Sequence, residues 1–225
     1  WNSNYLYSYS EIKLISQWLK KYHLKLNDLH ASSGNLGAWW TNQEDNKAVF
    51  LILKNRIEMC SLLGADTTII HLPLEPNTPE KQKQYWKILV HFLEQLLELS
   101  LKYQVKIALE NLVYWEPKQN KYIDNFGTLT KIFTYFSEKN LGLCYDSGHD
   151  HLTKQGLTNL AKLKDRLLAI HLHDNNGVAD QHQLPFKGKI DWQTLISLIA
   201  ESSYQKCINL EVKMLPTEDE HKFLT

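Results

Sequence analysis

Six short apolar runs in this chain end in a side chain able to bind a metal or move a proton: His30, His71, Glu110, Asp146, His171 and Glu211. The runs occupy residues 24–30, 67–71, 105–110, 141–146, 167–173 and 207–211. A single histidine in such a place is ordinarily a hydrogen-bonded scaffold residue, and a single carboxylate ordinarily caps the next helix. Six out of six strains that reading, because it must be invoked six separate times. Three imidazoles and three carboxylates form a mixed N/O donor set suited to Zn²⁺, Mn²⁺, Co²⁺ or Mg²⁺, with donors enough for more than one ion.

Further candidates follow two of these runs. His149 lies three residues beyond Asp146 in Asp146-Ser147-Gly148-His149, close enough to face the same place. His173 and Asp174 follow His171, and strand alternation points His173 to the side that His171 faces. Asp180-Gln181-His182 reads as a loop ahead of the stretch from Pro185 to Trp192. His151 reads as helix surface or as support for the site, and His23, His91 and His221 as solvated. Seven of the ten histidines therefore gather at expected strand ends or just beyond them.

The elements that must position these groups repeat one unit: an apolar run, a loop, then an amphipathic helix. Most runs are rich in Ile, Leu or Val over about 5–6 residues, the pattern of strands covered on both faces. Thr78-Pro79-Glu80 supplies an N-cap, an N1 proline and a first-turn acid for a helix running to about Tyr103. Gly64 ends a helix that begins near Glu44. Asp191 caps another, followed by Trp192, Leu195, Ile196 and Ile199. Strand–helix alternation of this kind predicts a parallel α/β sheet.

A closed (β/α)8 TIM barrel fits better than an open sheet, because it brings all strand C-termini to one mouth. The open alternative also lacks its Gly-rich phosphate loop. Six strands are two short of closure. The expectation is one TIM-barrel domain over residues 1–225, its first strands upstream of Trp1 and its last helix cut at Thr225.

Composition narrows the function. The 225 residues carry 25 Lys+Arg against 25 Asp+Glu, a formal net charge of zero, and only Arg56 and Arg166 are arginines. No basic field is available to hold nucleic acid. No apolar run reaches bilayer length, so no membrane span is expected. Cys60, Cys144 and Cys207 are far apart and odd in number, which argues against a disulfide framework or a zinc ribbon. No signal peptide is legible, pointing to the cytoplasm.

Taken in order, Leu29-His30, Ile70-His71, Leu109-Glu110-Asn111, the stretch from Cys144 to His149, the stretch from Ile170 to Asp174 and Leu210-Glu211 resemble the xylose-isomerase-like barrel superfamily. The resemblance spans about residues 20–212. That group holds sugar phosphate isomerases and epimerases, ketose 3-epimerases, inosose-pathway enzymes and the endonuclease IV group. Its isomerase and epimerase members imply one divalent ion on Glu110, Asp146, His171 and Glu211, with His149 against the sugar. Its endonuclease IV members imply three ions. The first lies among His30, His71 and Glu110, the second among Glu110, Asp146, His171 and Glu211, and the third among His149, Asp180 and His182.

Three departures favour the isomerase side. Asp180-Gln181-His182 stands where endonuclease IV has Asp-Arg-His, losing a fixed cation. Lys187-Gly188-Lys189-Ile190-Asp191-Trp192 is similar to the Gly-x-Gly-x-Ile-Asp-Trp stretch of isomerase-like members, with Lys187 replacing the first glycine. The neutral charge disfavours a duplex groove. Trp39-Trp40 and the loop after Glu110, with Trp115, are expected near the mouth, to stack on a sugar face or wedge into DNA; the lack of a basic flank favours the sugar.

The implied function is a divalent-metal-dependent isomerase or epimerase of a sugar, sugar phosphate or polyol, working by proton transfer through a metal-stabilised enediolate. The ion acts as Lewis acid and template. Glu110 and Glu211 act as the paired acid and base. Asp146 and His171 complete the coordination, while His149 or His173 orient hydroxyls. Lys187 or Lys189 meets a substrate phosphate or carboxylate. The partner is a small carbohydrate, and barrels of this kind commonly pair as homo-oligomers. The alternative is a zinc phosphodiesterase cutting abasic DNA. A non-catalytic barrel is disfavoured by the intact set of strand-end groups.

Overall fold

A computed structural model describes residues 4–32, 39–137 and 139–214; His221 and the expected truncated last helix fall outside the described residues. In chain order the elements begin α1 (Tyr9–Lys21), β1 (Leu29–His30), α2 (Gln43–Leu62), β2 (Thr67–Ile70), α3 (Pro79–Tyr103) and β3 (Lys106–Glu110). They continue β4 (Val113–Glu116), β5 (Lys121–Asp124), α4 (Phe126–Tyr135), β6 (Leu141–Asp146) and α5 (Ser147–Leu152). The last are α6 (Thr158–Leu163), β7 (Leu167–Leu172), α7 (Trp192–Glu201) and β8 (Asn209–Leu210). Two compact units result, Trp1–Glu110 with Gly127–Leu143, and Asn111–Phe126 with Cys144–Thr225.

In the first unit β1, β2 and β3 are parallel neighbours, Leu29 opposite Thr68 and Ile70 opposite Leu109. Ile107 N–H donates to Asn140 C=O at 2.8 Å, bringing in the start of β6. Every residue of β2 is buried, as a strand covered on both faces requires. Helix α2 buries Val49, Ile52, Leu53, Ile57 and Cys60, spaced for one face of a 3.6-residue helix. Helix α3 does the same with Tyr85, Leu89, Phe92, Leu93 and Leu96, and packs on β3 and α2. Asn42 caps α2 by accepting from Asp45 N–H at 2.8 Å. Gly64 follows its end at φ +82°, a conformation that favours glycine. At α3 the expected Thr78 cap makes no side-chain bond; Pro79, with φ pre-set for a helix, opens it instead.

The second unit takes in the end of β6, from Cys144, with β7 and β8, and β7 pairs with β8 in parallel, His171 opposite Asn209. All six residues of β6 are buried. The first and last expected strands are shorter than the apolar runs that announced them. Only Leu29–His30 and Asn209–Leu210 form ladder pairs, although Glu211 N–H still donates to Leu172 C=O at 3.0 Å. The stretch after Glu110, expected as a loop, forms the antiparallel β4–β5 hairpin, Val113 opposite Asp124 and Glu116 opposite Lys121. The β-branched and aromatic residues Val113, Tyr114 and Trp115 on one strand and Tyr122 and Ile123 on the other suit such a ribbon. Asp191 caps α7 as expected, accepting from Thr194 N–H at 3.1 Å. Among the described residues no helix is long and apolar enough to cross a membrane.

Candidate metal centre

In the first unit His30 closes β1, His71 follows β2 and Glu110 closes β3, so the parallel register brings three strand ends together. His71 Nε2 lies 2.9 Å and His30 Nε2 3.2 Å from Glu110 Oε2, and the two Nε2 atoms are 3.1 Å apart. Zinc–nitrogen bonds of about 2.0–2.1 Å in a tetrahedron put neighbouring ligand atoms about 3.3–3.4 Å apart. The three observed edges are close to that value. His30 Nδ1 donates to Ala31 C=O at 3.0 Å. A carbonyl only accepts, so Nδ1 carries a proton there and Nε2 is the ring nitrogen that faces Glu110. Glu110 is 1% exposed. A buried carboxylate met by two imidazole nitrogens needs a proton or a cation to hold the group together.

The second unit repeats this arrangement. His149 Nδ1 donates to Asn111 C=O at 2.9 Å and turns Nε2 toward Asp180 Oδ2, 3.6 Å away. His182 Nδ1 donates to Glu211 C=O at 2.6 Å, leaving Nε2 3.1 Å from the same oxygen. Anchoring one ring nitrogen on a backbone carbonyl while the other faces outward is the usual support of a metal-ligating histidine. Burial by itself would raise the Asp180 carboxyl, but its bonds with His149 and His182 outweigh this and hold it well below the usual carboxylate range. Its hydrogen bond to Asp180 in turn raises His182. His182 adopts φ +50°, a left-handed conformation to which histidine is better suited than most residues, and Lys213 N–H donates to its carbonyl at 2.8 Å.

Asp146, His171 and Glu211 also each present a ligand atom within 4.8 Å of the others. His171 Nδ1 is 2.9 Å from Glu211 Oε2, and that oxygen is buried with no hydrogen bond. Asp146 is fully buried and serves two neighbours: Oδ1 accepts from His149 N–H at 2.7 Å as the cap of α5, and His173 Nε2 lies 3.0 and 3.1 Å from its two oxygens. Of the expected third set, Asp180 touches both His149 and His182, while the mutually convergent trio is His173, Asp180 and His182.

Other expected site residues differ in their exposure. Trp39 is a correction: it is 2% exposed and stacks on Phe92 at 4.2 Å inside the first unit, its indole too apolar and large to leave in water when α3 offers a ring face. Trp40 leans edge-on against Tyr85. Trp115 is half exposed on β4, edge-on to Tyr122 at 5.1 Å. Lys187 is exposed on its loop, where its N–H donates to Leu184 C=O. Asp174 is fully buried and structural, its Oδ2 accepting from the Trp192 indole at 2.8 Å.

Three residues at the site carry roles the sequence reading did not give them. Asn111 is buried, donates to Asp146 C=O at 2.9 Å and accepts from Asp146 N–H at 2.7 Å, fixing the backbone of a candidate ligand. Ser147 and Gly148 support His173. A buried Asn beside a strand-end acid is the one signal that pointed to such a role.

The sequence matches the family described as xylose isomerase-like TIM barrel over residues 3–225. An uncharacterised protein of Sinorhizobium fredii, y4fM, is 29% identical over 95% of this chain and 76% of its own length. An inosose isomerase of Halalkalibacterium halodurans is 21% identical over 92% of this chain and 78% of its own. Among solved structures, a D-tagatose 3-epimerase-like protein aligns at TM-score 0.80 and 23% identity, covering 92% of this chain and 78% of that one. The IOLI protein with a bound zinc atom aligns at TM-score 0.69 and 21% identity, covering 89% and 72%.

Proposed function

The chain belongs to the xylose isomerase-like TIM barrel family, and on that premise we propose that it is a divalent-metal-dependent isomerase or epimerase of a small carbohydrate. The relatives and neighbours include an inosose isomerase and a D-tagatose 3-epimerase-like protein, and the IOLI protein binds a zinc atom. The observation that carries the reading is the thrice-repeated histidine, at His30, His149 and His182. Each commits Nδ1 to a backbone carbonyl and turns Nε2 toward a carboxylate. That donor chemistry fits Zn²⁺, Mn²⁺ or Co²⁺.

The ligand set we assign is Glu110, Asp146, His171 and Glu211, with His30 and His71 on the Glu110 side and Asp180 and His182 as a further site. When bound, the ion supplies Lewis-acid polarisation of the substrate's carbonyl and adjacent hydroxyl. Glu110 accepts the proton from the carbon next to the carbonyl, and Glu211 returns a proton to the reacting skeleton, a division suited to two carboxylates from different strands. His149 holds a substrate hydroxyl. Trp115, exposed on its hairpin, offers an aromatic face to the sugar.

The test is exchange. Ketohexoses, aldoses and inososes are incubated in D₂O with the metal-loaded protein, and deuterium at the carbon next to the carbonyl is followed by NMR. Metal-dependent incorporation is expected with at least one of them. Exchange that persists unchanged after chelation overturns metal dependence, and no exchange across the panel overturns the proton-transfer reading.

Asp180 between His149 and His182 favours a second reading, a zinc phosphodiesterase acting on abasic DNA. Strand cleavage of abasic duplex by the zinc-loaded protein, abolished by His182→Ala, would establish it in place of the first.

A further inference from the structure

We propose that His173 is a positioning residue that acts through Asp146, and that the sequence Ser147-Gly148 exists to hold it there. The proposal rests on the metal reading of Asp146 above. A substrate-orienting role was expected of this histidine, but its side chain is 0% exposed. One ring face is covered by His182, stacked at 4.0 Å and 10°. Gly148 lies beside the ring: a Cβ added there would fall 1.9 Å from His173 Cε1 and 2.4 Å from Nδ1. No methyl group fits unless the imidazole leaves.

The backbone is clamped as closely. Ser147 Oγ accepts from His173 N–H at 3.1 Å and donates to His173 C=O at 2.8 Å, so one hydroxyl brackets the residue. Asn175 Nδ2 donates to Gly148 C=O at 2.9 Å, adding a second tie between the two segments. Residues 146–148 and 173–175 thus interlock through side chain, hydroxyl, missing Cβ and amide.

The ring so held spans both oxygens of Asp146 from Nε2 at 3.0 and 3.1 Å. A carboxylate only accepts, so Nε2 carries the proton; Nδ1 is buried and accepts no hydrogen bond. With His149 N–H also donating to Oδ1, the Asp146 carboxylate is held before any ion arrives. Partners of this kind orient a ligand and raise its affinity for the metal, and their loss costs about 10–100-fold in binding.

The experiment titrates Co²⁺ into the chelator-stripped full chain and reads visible absorption bands together with the dissociation constant. Wild type is compared with His173→Phe, which keeps a ring but no N–H, with His173→Gln, which keeps an N–H at similar reach, and with Gly148→Ala. His173→Phe and Gly148→Ala are expected to weaken binding about 10–100-fold and shift the absorption bands. His173→Gln recovers most of the affinity, which a purely space-filling role would not produce. Equal binding by wild type and His173→Phe overturns the inference and leaves the metal reading standing. Failure of the wild type to bind Co²⁺, Zn²⁺ or Mn²⁺ overturns the metal reading and the inference with it. Should the variants not fold, ¹⁵N-histidine NMR of the wild type decides. The Nε2–H form of His173 with a slowly exchanging proton supports the proposal, and the Nδ1–H form overturns it.

Discussion

Asp150 offers a stability test of the scaffold behind the site. It lies in α5, is 1% exposed, and accepts a 2.8 Å hydrogen bond from the Tyr145 hydroxyl. Burial pushes its carboxyl from 3.8 up to about 6, against the smaller opposing effects of hydrogen bonds from Tyr145 and Asn159. Burial likewise raises Tyr145. A raised acid means that the folded protein binds the proton more tightly than the unfolded chain between about pH 4 and pH 6, so stability falls as pH rises through that window. The stabilising contribution is complete below about pH 4 and gone above about pH 6. At ~1.36 kcal/mol per pH unit the distance from 3.8 to about 6 is worth about 3 kcal/mol, taken as an upper figure. Asp150→Asn keeps the shape and an acceptor for Tyr145 but never ionises. Urea unfolding of both proteins with chelator present, from pH 4 to pH 7.5, is expected to give nearly equal stabilities at pH 4. The variant then gains about 1–3 kcal/mol by pH 7.5. Taking the difference cancels the carboxylates common to both. Two stability curves that run parallel across the whole range would refute the reasoning.

Other outcomes follow from the same geometry. Glu110→Gln and Glu211→Gln are each expected to abolish turnover on a substrate that exchanges deuterium, while thermal unfolding stays cooperative; near-normal turnover in either removes that residue from the acid/base role. Zinc at about 100 times its dissociation constant adds about 2.7 kcal/mol. For a chain of this size that raises Tm by about 5–11 °C in calorimetry, and chelation reverses it. His30→Ala with His71→Ala is expected to reduce the bound-metal stoichiometry measured by mass spectrometry, an outcome that an ion held solely in the second unit would not give.

The strand-end donors were legible because type and position coincide: a run that must lie inside a parallel sheet ends where its next side chain meets the mouth. That logic places His30, His71 and Glu110 together in one unit and Asp146, His171 and Glu211 together in the other. It fails for residues whose work is done by the backbone or by what they lack. Nothing in the letter of Gly148 says that an imidazole fills its missing Cβ, and nothing in Ser147 says that its hydroxyl brackets His173. Trp39 was misread because a tandem tryptophan before a helix looks alike at a mouth and in a core; Phe92, more than fifty residues on, decides between them. The β4–β5 hairpin was hidden for a related reason. Pro117 and the polar residues after it announce a turn, but pairing across that turn depends on a register that single residues do not declare.

At Asp146 the helix cap is a structural fact, and the proposed role as metal ligand would fall on the same carboxylate. The cap on His149 N–H fixes Oδ1 and sets the start of α5, and α5 carries Gly148 against His173, which in turn spans both Asp146 oxygens. The chain of contacts closes on itself within a few residues. A donor built this way cannot be removed without disturbing the helix it starts: an N-cap alone is worth about 0.5–2 kcal/mol. Asp146→Ala should therefore lose stability even in metal-free protein, whereas substitutions at Glu211, which is partly exposed and caps no helix among the described residues, should lose metal first. The difference between those two responses separates the residues that build the centre from those that only complete it.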